Sequence, residues 1–99
     1  MKYETRKTDE FKKWLKKLKD REAAIRIARR LDSIQAGFFG DHKQLSERLF
    51  ELRFFFGPGY RVYYTFSGDT VVFILAGGDK SSQAADIEKA NSLLQSMEE

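Results

Sequence analysis

The sequence predicts an α+β domain: a small antiparallel sheet with two N-terminal helices packed on one face and a C-terminal helix, in the order β-α-α-β-β-β-α. Three observations carry this. Two apolar stripes at helical spacing lie between residues 11 and 34. Three runs rich in Phe, Tyr, Val and Ile follow, joined by connections of hairpin length. A glycine pair then ends the last run just before a segment with serine at its start and helical spacing beyond.

Each element has its own signal. Lys2–Lys7 alternates and can form a first strand, with Tyr3 and Thr5 on one face. Thr8, followed by Asp9 and Glu10, starts a helix: a hydroxyl caps free amides and acids sit near the positive end of the dipole. Phe11, Trp14, Leu15 and Leu18 then form one apolar stripe, and Lys12, Lys13, Lys16, Lys17 and Lys19 occupy the remaining surface. Asp20 caps a second helix carrying Ala24, Ile27, Ala28, Leu31 and Ile34, and Gly37 ends it. Residues 38–47 read as a loop with a Gly40-Asp41 turn. Leu49–Phe55, Tyr60–Phe66 and Thr70–Ala76 read as strands, separated by Gly57-Pro58-Gly59 and by Ser67-Gly68-Asp69. The run VVFILA is apolar on both faces, as a central strand covered on both sides would be. After Gly77-Gly78, Ser81 or Ser82 caps a last helix bearing Ile87, Ala90, Leu94 and Met97.

Ninety-nine residues make one domain, 1–99, and 41% hydrophobic content with nine Phe and four Tyr is enough for a core. Cysteine is absent, which removes disulfides, thiolate zinc sites and a Cys nucleophile and agrees with a reducing compartment. No apolar run reaches the roughly 18 residues needed to span a bilayer, and the N-terminus lacks a signal-peptide core. A cytoplasmic protein with no membrane partner is the expectation. The net charge of +3 hides an asymmetry. Residues 1–30 hold twelve Lys or Arg against five acids, a net of +7, while residues 31–99 hold six against ten, a net of −4. Such a division suits contact with a polyanion or an acidic partner, and equally a solvated helix surface.

The stretch ELRFFFGPGYRVYYT, Glu51 to Thr65, sets arginines among core-type residues. Alternation separates them: Phe50, Leu52, Phe54, Val62 and Tyr64 pack against the helices, while Arg53 and Arg61 emerge together on the other face beside Tyr63. Each guanidinium offers a planar fork suited to phosphate, and nearby rings can stack on bases. The structural alternative is that Glu51 neutralises one arginine and the other lies along the sheet. GGDKSSQ, Gly77–Gln83, delivers Lys80 to the sheet edge ahead of a helix N-terminus, with glycines for a tight turn. It lacks P-loop spacing. The single histidine, His42, lies in a loop and reads as a surface residue, so no His pair can run acid–base chemistry or bind zinc. The acids show no metal-site spacing, so no metal and no small-molecule cofactor is expected.

The pattern ELR…GPGYRVYY…VVFILAGGDKSSQ…DI..A resembles the RelE/ParE superfamily of type II toxin–antitoxin toxins, and within it the HigB-like group labelled addiction module killer proteins. The resemblance covers nearly the whole chain. It implies a small sheet with two N-terminal helices on one face and a concave basic face opposite. It also implies metal-independent mRNA cleavage in the ribosomal A site by sheet-borne Arg, Lys and sometimes Tyr or acidic residues. Arg61 of GYRVYY and Arg53 of ELR match the family's strand arginines, and Lys80 falls near its basic residue after the last core strand. Tyr63 completes the expected catalytic set, and Lys12, Lys13, Lys16 and Lys17 are expected to contact RNA phosphates. The implied partners are a cognate antitoxin of helix-turn-helix, HigA-like type, the ribosome and mRNA.

Cleavage by 2′-OH attack requires charge stabilisation on the phosphorane, one proton removed and one given. Arginine is too basic to take the proton, which leaves Tyr63, Glu51, Lys80 or a ribosomal group. The resemblance also extends to ParE-type toxins, which share the fold and poison DNA gyrase by protein contact.

Overall fold

The computed structural model describes residues 2–98. Its elements are β1 (Glu4–Lys7), α1 (Asp9–Lys17), α2 (Arg21–Gln35), β2 (His42–Gln44), β3 (Phe50–Arg53), β4 (Arg61–Ser67), β5 (Val71–Gly78), a short 3-10 turn (Lys80–Ser82) and α3 (Gln83–Glu98). Local chemistry sets the helix starts. The Thr8 hydroxyl accepts from Phe11 N at 3.0 Å and the Asp20 carboxylate from Ala23 N at 3.0 Å, each satisfying an amide that has no partner inside its helix. Just past α2, Gly37 takes a φ of +93° and its amide bonds back to the Ile34 carbonyl at 2.8 Å.

The five strands form one sheet in the order β1-β5-β4-β3-β2. Neighbours from β2 to β5 are antiparallel, whereas β1 lies parallel to β5, so the expected antiparallel sheet is mixed at one edge. The helix pair explains this. The chain leaves β1, runs out along α1 and returns along α2, and the Gln35 carbonyl accepts from Lys2 N and Tyr3 N at 2.7 and 3.1 Å. From there residues 36–41 carry the chain to the opposite end of the sheet, where the Asp41 carbonyl accepts from Arg53 N at 2.9 Å, so β2 starts antiparallel to β1 and three reversals bring β5 parallel to it. Residues 38–47, expected as a loop, contain β2, which pairs His42 with Leu52 and Gln44 with Phe50. Three exposed polar residues carry no alternation to announce a strand.

The sheet is covered on both faces. On one, Phe11, Ile27, Leu31 and Ile34 of α1 and α2 bury Leu52, Phe54, Val62, Tyr64, Val72 and Ile74, which is the face assignment that alternation predicts. On the other, Ala90 and Leu94 of α3 pack on Leu49, Tyr63, Leu75 and Ala76. A register shift between Tyr63 and Tyr64 pairs them with Ala76 and Ile74 and skips Leu75, so Leu75 and Ala76 both join the α3-side core.

Gly77 and Gly78 lie within β5, and neither takes a positive φ. Their role is close approach rather than the tight turn expected of them. A Cβ at Gly77 would sit 2.4 Å from Trp14 Cε3, and one at Gly78 would overlap the Asp86 carboxylate. Gly77→Ala should therefore lower stability by about 1–3 kcal/mol, since the indole ring must move out of a packed wall. Urea denaturation of the variant against the wild type measures this, and an unchanged midpoint would show that Trp14 can shift at no cost.

Candidate functional site

Pairing places Arg53 opposite Arg61 on the β3–β4 ladder, and Arg61 opposite Gly78 on the β4–β5 ladder. This row crosses the sheet where α3 stops covering it. Gln83, the first residue of α3, donates from Nε2 to Glu51 Oε2 at 2.8 Å, and the helix runs from there toward Leu49. Beyond Glu51, the end of the sheet carries Arg53, Arg61 and the GPG turn. The 3-10 turn brings exposed Lys80 to the same place. Lys80 Cβ and Arg61 Nη1 lie 3.5 and 3.6 Å from the point where a Cβ on Gly59 would sit, so the two cationic side chains meet over a glycine. The three cations expected to converge therefore lie at one sheet end.

Their surroundings differ. Arg53 forms a bidentate pair with Asp41, Nε to Oδ2 at 3.1 Å and Nη2 to Oδ1 at 3.0 Å, and Asp41's hydrogen bonds and charge raise its pKa further. Glu51, considered from sequence as the acid that neutralises one arginine, faces Arg61 instead. Arg61 donates from Nη1 to the Gly59 and Tyr60 carbonyls, both at 3.2 Å, and its Nε lies 3.9 Å from Glu51 Oε1. Glu51 is only 2% exposed. Tyr63 is fully buried beneath α3 rather than standing on an open face beside the arginines. Burial, followed by the charges of Glu51 and Asp86, pushes its phenol pKa up, so the group stays protonated. Among the described residues, neither the Tyr63 hydroxyl nor Arg61 Nε has a hydrogen-bond partner.

Arg30 of α2 holds the framework. Its Nε donates to the Phe39 carbonyl at 2.9 Å, Nη1 to the Arg53 carbonyl at 2.8 Å and Nη2 to the Asp41 carbonyl, while its plane lies 4.5 Å over Phe54. Burial lowers its pKa, and Asp41 opposes that. One guanidinium thus fixes the backbone of both members of the Asp41–Arg53 pair. Sequence reasoning missed Arg30 and Asp41, because the first reads as one more helix charge and the second as a turn residue.

Lys12, Lys13, Lys16 and Lys17 are all exposed, but helical spacing divides them. Lys13 and Lys17 line a cleft of about 310 Å³ between α1 and α3, together with Trp14, Gly77, Asp79 and Asp86. The Glu10–Lys89 pair at 3.3 Å links the two helices beside it. Lys12 faces a groove along β1 with Arg6, Lys7 and Phe73. Asp79 shapes the turn that presents Lys80: its carboxylate accepts from Ser81 N at 2.9 Å and Ser82 N at 3.3 Å, and its own amide donates to Ser82 Oγ at 3.2 Å. His42 is exposed, as expected. Among the described residues, no group of three or more His, Cys, Asp or Glu could hold a metal ion, and no helix is long and apolar enough to cross a membrane.

Fold and site together define a small α+β protein that gathers Arg53, Arg61 and Lys80 at one end of its sheet, with Lys80 exposed, Arg53 part-exposed and the Arg61 side chain only 11% exposed. The chain belongs to the family described as phage-derived protein Gp49-like (DUF891), whose model matches residues 13–97. That family is associated with RelE-like addiction-module toxins. A protein of Haemophilus influenzae, described as uncharacterized, is 44% identical over 87 residues, covering 88% of each chain. No solved structure matches.

Two measurements probe this framework. Arg30→Ala removes a donor from three carbonyls, of which that of Asp41 keeps the Arg53 amide at 2.9 Å, and should lower stability by about 1–3 kcal/mol by urea denaturation. A midpoint equal to the wild type's would show that water replaces the fork fully. Asp79→Ala removes the cap and should cost about 0.5–2 kcal/mol near neutral pH. Hydrogen bonds, first from the Ser81 hydroxyl, lower the folded pKa of Asp79. Its contribution is therefore complete above the unfolded carboxylate pKa of about 3.9 and is lost as pH falls through the lower folded value. The stability gap between wild type and Asp79→Ala should close on acidification, and a gap that widens would refute the assignment.

Proposed function

We propose that this chain is the toxin of a type II toxin–antitoxin pair and acts as a ribosome-dependent mRNA endoribonuclease that stops translation. The observation that carries the reading is the convergence of Arg53, Arg61 and Lys80 at the sheet end that α3 leaves open. Exposed Lys80, with part-exposed Arg53 and largely enclosed Arg61 behind it, sets up a positive field that suits a reaction in which the 2′-oxygen attacks the adjacent phosphorus. The P–O bond to the 5′-oxygen breaks, leaving a 2′,3′-cyclic phosphate and a 5′-hydroxyl. Arg61 and Lys80 stabilise the negative charge that grows on the phosphorane oxygens. Arg53, already paired with Asp41, orients the strand and adds to the field.

Proton transfer is the smaller part of this site's contribution. Tyr63 is buried and kept protonated, so it is assigned no proton-transfer role, and Glu51 is enclosed by Gln83 and Arg61. Lys80 is the exposed titratable side chain beside Arg61, and the remaining proton transfer falls to it or to a ribosomal group. Orientation on the ribosome then supplies much of the rate. Lys12, Lys13, Lys16 and Lys17 contact ribosomal RNA phosphates. The regulating partner is a cognate antitoxin of helix-turn-helix, HigA-like type, and the compartment is the cytoplasm.

Primer extension on an expressed message after induction tests the reading. Discrete breaks should appear with the wild type, and Arg61→Ala and Lys80→Ala should lower cleavage by roughly a hundredfold, with ribosome binding changed far less. Growth arrest without message cleavage overturns the proposal, and stabilised gyrase–DNA breaks in that case would indicate ParE-type action. Replacing the four α1 lysines with Gln should weaken ribosome association and flatten its salt dependence by about 0.7–0.9 log units per log unit of salt for each lost phosphate contact. An unchanged slope would remove α1 from the interface.

A further inference from the structure

The run Phe54-Phe55-Phe56 follows Arg53 directly, and its three rings meet different fates. Phe54 is buried in the α1–α2 core beneath Arg30. Phe56 packs against the same core, edge-on to Phe54 at 5.9 Å and beside Tyr60 at 5.7 Å, with the Arg26 guanidinium 3.8 Å over its face. Phe55, between them, is 78% exposed.

This exposure is enforced by the backbone. The Phe54 amide donates to the Tyr60 carbonyl at 3.1 Å, so extended pairing persists past the end of β3, and side chains continue to alternate. With Phe54 and Phe56 anchored on the core side, Phe55 must point to the face that carries Glu51, Arg53 and Arg61. It stands about 7 Å along the strand from Arg53, whose guanidinium lies 5.9 Å from its ring centre. Anchored neighbours hold the ring base in place, so binding against it costs little additional order.

We infer that Phe55 is a stacking platform for a nucleobase of single-stranded RNA whose phosphates lie on Arg53, Arg61 and Lys80. The inference rests on the reading that RNA is the substrate at this site, and adds a binding residue to it. Charge and shape favour this occupant over a protein. The neighbour against the ring on this face is the Arg53 guanidinium, a charge rather than the apolar surround from which a protein contact would exclude water. One aromatic plane beside several cations instead matches the pairing of base stacking with phosphate contact by which single strands are held. Stacking accepts any base, so the platform sets the position of the strand rather than its sequence.

The test compares two fluorescent oligonucleotides of equal length, one single-stranded RNA and one with the same sugar–phosphate backbone but no bases. Wild-type protein should bind the RNA about tenfold more tightly. Phe55→Ala should bind both alike, at the wild-type affinity for the abasic strand, and Phe55→Trp should restore the preference. Because the side chain is exposed, all three should melt together, which circular dichroism checks. Failure of the wild type to distinguish the strands, or an unchanged preference in Phe55→Ala, overturns the inference. Message cleavage in a purified translation system separates it from the reading it rests on. Cleavage with no Phe55-dependent preference sinks the platform alone. A Phe55-dependent preference without cleavage sinks the endoribonuclease and leaves the platform standing.

Discussion

The register of β3 on β4 fixes most of what matters in this molecule. Setting Leu52 opposite Val62 buries both under α1 and α2, and the same register sets Arg53 opposite Arg61 on the other face. A one-residue slip of β3 would turn Glu51 and Arg53 into an apolar core and move Leu52 to the opposite face, a large cost for a packed core. Core and cation row are therefore a single structural decision. The repulsion between adjacent arginines is met locally, by Asp41 at Arg53 and by Glu51 behind Arg61.

The length of α3 then divides the second face. Where Ala90 and Leu94 lie, the sheet is apolar and closed. Where the helix begins, Gln83 reaches Glu51, and polar groups are enclosed without full satisfaction: Arg61 Nε meets Glu51 only as an ion pair at 3.9 Å, and neither it nor the Tyr63 hydroxyl has a hydrogen bond among the described residues. Buried donors left unpaired cost roughly 1–3 kcal/mol each, so this boundary carries a local cost that the apolar packing around it offsets. It is also the place where the chain turns from packing to presenting charge.

The positive surface is clustered rather than uniform. Acids are interleaved at each cluster: Asp41 against Arg53, Asp79 at the Lys80 turn, and Glu10 and Asp86 along the cleft bearing Lys13 and Lys17. Such placement holds the cations in defined positions and limits their mutual repulsion. The lysines of α1 extend the field beyond the site and can steer a polyanion toward it, an effect that added salt screens over about 10 Å.

Sequence periodicity alone determined the helices, the strands β3, β4 and β5 and the core face of the β3–β4 hairpin, because apolar spacing and strand alternation are local properties. Tertiary structure decided the rest. The parallel β1–β5 edge follows from where residues 36–41 deliver the chain after the helix pair, and β2 exists only because β3 offers it an edge. Burial of Tyr63 depends on α3 crossing a face that alternation leaves unassigned. Gly77 and Gly78 answer to Trp14 and Asp86, which approach from other elements, and Arg30 reaches Phe39, Asp41 and Arg53 across a loop whose path no local pattern encodes. Each of these depends on which surfaces meet, and that is settled only when the whole chain has packed.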